Sequence, residues 1–164
     1  MKTQLLSSAL IVMTMTSIVV PVQAADLFVP VPQLSLETAN KIADATIGEC
    51  RKKGINIAVT VVDRFGIPLT MQRDTLASSL PVQISMKKAY TAVTFNSKTS
   101  ALTSQSQSGL AHADNVLFLA GGAPLEASGK LYGAVGVSGA PDGMDDEACA
   151  IAGIESVLAD LEMQ

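Results

Sequence analysis

One stretch limits the possible folds of this chain more than any other: Lys130-Leu-Tyr-Gly-Ala-Val-Gly-Val-Ser-Gly-Ala-Pro-Asp-Gly-Met-Asp-Asp-Glu, followed by Ala148 to Ile154. Leu131, Val135 and Val137 read as a strand, and Gly133 and Gly136 leave room for a close approach by another backbone or a ligand. Ser138 to Gly143 is turn chemistry, with Pro141 ending strand pairing and Gly139 and Gly143 free to take positive φ. Asp145, Asp146 and Glu147 suit the N-terminus of a helix, and Ala148, Ile151, Ile154, Leu158 and Leu161 recur at helical spacing. The stretch is therefore a strand, a Gly-rich corner and a C-terminal helix.

Such a corner invites a nucleotide-binding reading, but the residues oppose it. Gly133, Gly136 and Gly139 match neither the dinucleotide fingerprint nor a P-loop. Acids opening the next helix would repel a phosphate. Tight packing explains the glycines.

With 164 residues the chain is expected to form one domain, residues 25–164, behind a leader. Lys2, the apolar run Leu5 to Val20 and the small-residue site Val22-Gln23-Ala24 read as a secretory signal peptide, 1–24. The product would be periplasmic or secreted, with no membrane partner after cleavage. Without Lys2, ten basic residues stand against fifteen acidic ones, a net charge of −5. That balance, with no basic cluster, argues against nucleic acid. Cys50 and Cys149 match no zinc or CxxC spacing. Either their helices pack together and join them as a disulfide, or both are buried thiols.

Taken in order, Asp26 to Gln33 reads as an extended arm with two prolines. Ser35 caps a helix bearing Leu36, Ala39, Ala43, Ile47 and Cys50 on one face, closed by Arg51 to Lys53 and Gly54. Ile55 to Val62 and Ile67 to Gln72 read as strands joined by the turn Asp63-Arg-Phe-Gly66, and Pro68 places the second at an edge or bulge. Leu80-Pro81 opens a second helix, whose Val82, Met86, Ala89 and Val93 are expected to face the core. Thr99 to Ser108 is polar and reads equally as a short helix or a loop. Val116 to Ala120 reads as a strand turned by Gly121-Gly-Ala-Pro124, and Ser128-Gly129 as a hairpin turn. The fold class is α/β in the α+β sense: a mainly antiparallel sheet flanked by helices.

Nucleophiles are few. There is no G-x-S-x-G elbow and no S-x-x-K motif, and the one histidine, His112, has no metal-ligand spacing around it. The residues favour binding over hydrolysis and leave enzymatic turnover open.

Separated blocks in a fixed order carry a family resemblance. They are Ile57-Ala-Val-Thr-Val-Val-Asp63 with Gly66, Arg73-Asp74, and Lys88-Ala-Tyr-Thr91-Ala92 with Phe95 and Thr99. Gly121-Gly-Ala-Pro124-Leu125, Gly133-Ala-Val-Gly136-Val-Ser138-Gly139-Ala140, and Asp146-Glu147 leading to Ala150 and Gly153 complete the set. Over Leu34 to Leu158 the chain resembles the haem-binding GlcG/HbpS-like family, also found as the C-terminal domain of some corrinoid adenosyltransferases. It departs from that pattern at Arg73 to Ala77 and in the polar stretch Thr99 to Ser108. The resemblance implies a profilin-like sheet, a symmetric homo-oligomer, and a haem ligand that is sequestered, degraded or used for redox sensing.

Two function classes follow: an exported haem-binding protein, or a non-haem small-molecule-binding or accessory subunit of an exported oxidoreductase system. The site candidates are Arg73, Lys88, Thr91 and Ser138 for the cofactor, and His112 for iron. Arg73 and Lys88 are the cations within the matched blocks and suit propionates, and His112 is the only imidazole.

Overall fold

The computed structural model describes residues 27–163, so the signal-peptide reading of 1–24 lies outside the described residues. Four antiparallel strands form one sheet in the order β2-β1-β4-β3. The strands are β1 (Ala58–Asp63), β2 (Pro68–Arg73), β3 (Gly122–Ala127) and β4 (Lys130–Ser138). Helices α1 (Leu36–Lys52) and α3 (Gly143–Glu162) cover one face, and α2 (Leu80–Phe95) covers the other. Among the described residues no helix is long and apolar enough to cross a membrane.

The local signals work as their chemistry requires. Ser35 Oγ accepts from Thr38 N at 3.1 Å to start α1, and Gly54 takes φ 74° just after it ends. In the β1–β2 turn, Asp63 Oδ1 accepts from Phe65 N at 2.8 Å and Ile67 N at 2.9 Å. Pro68 sits on the edge strand, where register shifts between Val61 and Val62. Ser128 (φ 49°) and Gly129 (φ 72°) turn the β3–β4 hairpin.

The two sheet faces pack differently. Under α1 and α3 lies an aliphatic core of Ile42, Ile47, Val59, Val61, Leu125, Val135, Val137, Ile154 and Val157. Cys50 and Cys149 are fully buried there and joined as a disulfide, their Cα atoms 5.6 Å apart. On the α2 face the apolar cluster is smaller, Val62, Ala89, Ala92, Val93 and Ala134 with Leu131 packed against it. There α2 presses its backbone onto the sheet: a Cβ on Gly136 would stand 2.0 Å from Ser85 O and 2.4 Å from Ala89 N. A chain with 4% aromatic residues builds a dense interior by such close approach.

Two expectations are corrected. Val116 to Ala120 is irregular, and the strand is Gly122–Ala127, which includes the Gly-Ala-Pro read as a turn. Gly122 must lack a side chain, since a Cβ would lie 2.5 Å from Lys88 O, and Pro124 is tolerated on an edge strand. Met86 is 38% exposed, because Ser85 and Ala89 lie against Gly136 of β4 and Lys88 against Gly121 and Gly122, which turns that side of α2 inward instead.

Candidate ligand site

Between α2 and β3 the chain makes a long excursion, here termed the strap. It runs through two 3-10 segments, Thr99–Gln107 and Gly109–His112, and returns along Val116 to Ala120. Such helices have poorer hydrogen-bond geometry than α-helices, so this element depends on ties to the body. Those ties come from α2 and α3.

The first tie is a buried polar cluster at the start of α3. Lys88 Nζ donates to Val137 O and to Asp146 Oδ2, each at 2.9 Å, with both side chains nearly excluded from solvent. Asp146 Oδ1 accepts from Ala140 N at 3.0 Å, so the pair also pins the β4–α3 corner. Gly121, at φ 126°, passes this ammonium so closely that a Cβ would stand 2.5 Å from Nζ. Next to it, Glu147 is buried with hydrogen-bond donors around it in place of a cation. Its carboxylate accepts from Ser100 Oγ at 2.6 Å, Ser100 N at 3.0 Å and Gly121 N at 3.4 Å. Three donors compensate the charge that burial would otherwise penalise. Thr99 Oγ1, also buried, accepts from Gly122 N at 2.8 Å.

The second tie lies at the returning limb. Thr91 Oγ1 donates to Lys87 O and accepts from Leu117 N, both at 2.8 Å. Phe118 is buried edge-on against Phe95, ring centroids 5.4 Å apart. Between the outer and returning limbs opens a recess of about 270 Å³, lined by Ser106, Ala111, Val116, Leu117, Phe118 and Leu119. His112 is exposed and adjoins Ala111, with the exposed side chain of Leu110 nearby in the same 3-10 turn.

The candidate residues thus fall into two groups. Thr91 supports the strap and His112 rides on it, while Lys88 anchors the corner beside its entry. Arg73 and Ser138 lie elsewhere: both are register partners of Ala58, so Arg73, Ala58 and Ser138 form one row across β2, β1 and β4. The two outer members of that row are about 10 Å apart by strand spacing. Arg73 is exposed, and its guanidinium donates to the carbonyls of Asp74, Thr75 and Ala77, holding the β2–α2 loop. Beside this loop is an open cleft of about 520 Å³, lined in part by Lys53, Asn56, Ser78 and Gly139. Sequence reasoning missed Ser100 and read Asp146 and Glu147 only as partners of the helix dipole. The signal available was two adjacent acids in a block that the resemblance singled out.

This architecture, a four-stranded antiparallel sheet between one helix and two, with a strap tied over α2, is that of a small α+β domain. Residues 34–155 match the family described as haem degrading protein HbpS-like, and the chain belongs to that family. A double mutant of Streptomyces reticuli HbpS superposes with a TM-score of 0.75 at 36% identity, covering 84% of this chain and 96% of the other. The complex of PduOC with haem superposes at 0.70 and 25% identity, over 76% and 95% of the two chains. An uncharacterised 15.0 kDa protein from the dhaT-dhaS intergenic region of Citrobacter freundii is 34% identical over 113 residues, 65% of this chain and 80% of its own length.

Proposed function

We propose that the protein is an exported haem-binding protein that takes haem at the strap recess, with His112 supplying the donor to iron. The observation that carries this is local: the chain's only imidazole stands exposed beside an apolar recess, in a chain of a haem-related family. Haem needs an apolar wall for its macrocycle, a nitrogen, sulfur or oxygen donor for its iron, and solvent or cations for its propionates. Val116, Leu117 and Leu119 would supply the wall, and His112, next in sequence to the lining residue Ala111, would supply the donor. Lys87, whose carbonyl accepts from Thr91 one turn on, is the candidate cation on α2 in this reading. Lys88 already faces Asp146, and Arg73 the loop carbonyls, so both act through the fold in this reading. Bound haem would supply its iron for redox or oxygen chemistry. The solved complex of PduOC with haem supports the ligand class.

The test is a hemin titration of the purified mature protein. A saturable Soret band is expected, and His112→Ala should shift its maximum and weaken binding. Persistence of the band under ascorbate and oxygen would indicate sequestration, and its loss degradation. N-terminal sequencing of the exported product tests cleavage after Ala24.

A second reading is a small organic ligand without haem, as in an accessory subunit of an exported oxidoreductase. The recess favours it, since about 270 Å³ falls below the roughly 300–1,000 Å³ of ordinary cofactor sites. Weak, non-saturating hemin binding would select this reading.

A further inference from the structure

Between its two ties the strap has little hold on the body. No residue from Ala101 to Asn115 is buried, and the side-chain hydrogen bonds there stay inside the strap, Thr103 to Ser100 O and Ser108 to Gln105 O. Asn115 takes φ 65°, the left-handed conformation that asparagine tolerates better than most residues, where the outer limb turns back. The recess is walled by both limbs, Ser106 and Ala111 on one side and Val116 to Leu119 on the other. Separating the limbs opens it.

From this arrangement we infer that the strap is a latched lid over the proposed recess, and that Glu147 is the positioning residue that holds it shut. Glu147 fixes the first turn through Ser100, Asn115 is the bend, and His112 travels with the outer limb. The inference rests on the recess as ligand site, but the latch itself can be judged on the ligand-free protein.

The chemistry predicts an informative pattern of variants. Glu147→Ala removes all three acceptor contacts. Glu147→Gln keeps them: its carbonyl oxygen can accept from Ser100 N and Gly121 N, and its amide can donate to Ser100 Oγ, a hydroxyl that serves in either direction. The latch therefore needs hydrogen-bonding shape rather than charge.

Hydrogen exchange followed by mass spectrometry on the ligand-free mature protein tests it. Peptides spanning 99–115 should exchange about tenfold faster in Glu147→Ala, with 36–52 of α1 unchanged, while Glu147→Gln stays within about twofold of the parent. Ser100→Ala, which loses one of the three bonds, should lie between. Unchanged strap exchange in Glu147→Ala, equal acceleration in Glu147→Gln, or an increase extending through α1 would each overturn the latch. Should Glu147→Ala fail to fold, parent-like exchange in Ser100→Ala overturns it instead. Hemin association should be faster in Glu147→Ala than in the parent, and equal rates would overturn the lid. Failure of the parent to bind hemin would count against the haem reading alone, because the exchange comparison is made without ligand.

Discussion

Lys88 on α2 and Asp146 on α3 meet at 2.9 Å across the end of β4, both almost wholly removed from water. Lys88→Met would leave the Asp146 carboxylate buried with Ala140 N as its remaining partner. Breaking such a pair costs about 3–5 kcal/mol, whereas replacing both members by apolar groups is often close to neutral. Urea denaturation should therefore show a large loss in Lys88→Met and substantial recovery in Lys88→Met/Asp146→Leu. A single variant as stable as the parent would contradict the burial of the pair.

Two glycines should respond to alanine with opposite signs. At Gly136 the new methyl meets the backbone of α2 at 2.0 and 2.4 Å, so the helix must lift from the sheet. A loss of at least about 1–3 kcal/mol is expected, the ordinary range for overpacking. Gly48, inside α1, has open space around the position a Cβ would take, and alanine there should stabilise by about 0.5–1 kcal/mol. Thermal denaturation of the two variants side by side provides the check.

Removing the Cys50–Cys149 link should lower stability by about 4–5 kcal/mol, the chain-entropy value for a loop near 100 residues. Because both sulfurs are buried, native protein should also resist reductant until it is unfolded. Alkylation with and without denaturant measures this. Two freely alkylated thiols in the native oxidised protein would exclude the link.

Thr91→Val keeps the shape but deprives Leu117 N of its acceptor. Leu117 N is only partly buried, so orphaning it should cost about 1 kcal/mol, the low end for a donor removed from water. The effect should fall on exchange at Leu117 and the returning limb, leaving the β1–β2 hairpin untouched. Uniform acceleration across the sheet would show that Thr91 supports the whole α2 layer instead.

The parts legible in the sequence are those whose causes are local. Ser35, Gly54, the Asp63-to-Gly66 turn and the β-branched run of β1 state their structure within a few residues. The β3 error has a different source. Gly121-Gly-Ala-Pro124 has the composition of a turn, yet it is a strand entry because Lys88 and the α2 backbone leave no space for side chains. Likewise Val116 to Ala120 has the composition of a strand, but Thr91 and Phe95 fix it as irregular chain. The polar ties around the strap were half legible: Lys88 and Thr91 stand in one matched block, whereas the partners of Asp146 and Glu147 lie 58 and 47 residues away and leave no periodic trace.

The disulfide brackets the strap in sequence as well as bracing the helices: Cys50 precedes Thr99 and Cys149 follows Leu119. A protease that nicks the exposed outer limb would therefore not release either half. The clipped protein would run as one species on a non-reducing gel and as two fragments after reduction. Half of the covalent chain would remain tethered to the other through the helical layer on the far side of the sheet, so one cut in the lid need not dismantle the domain.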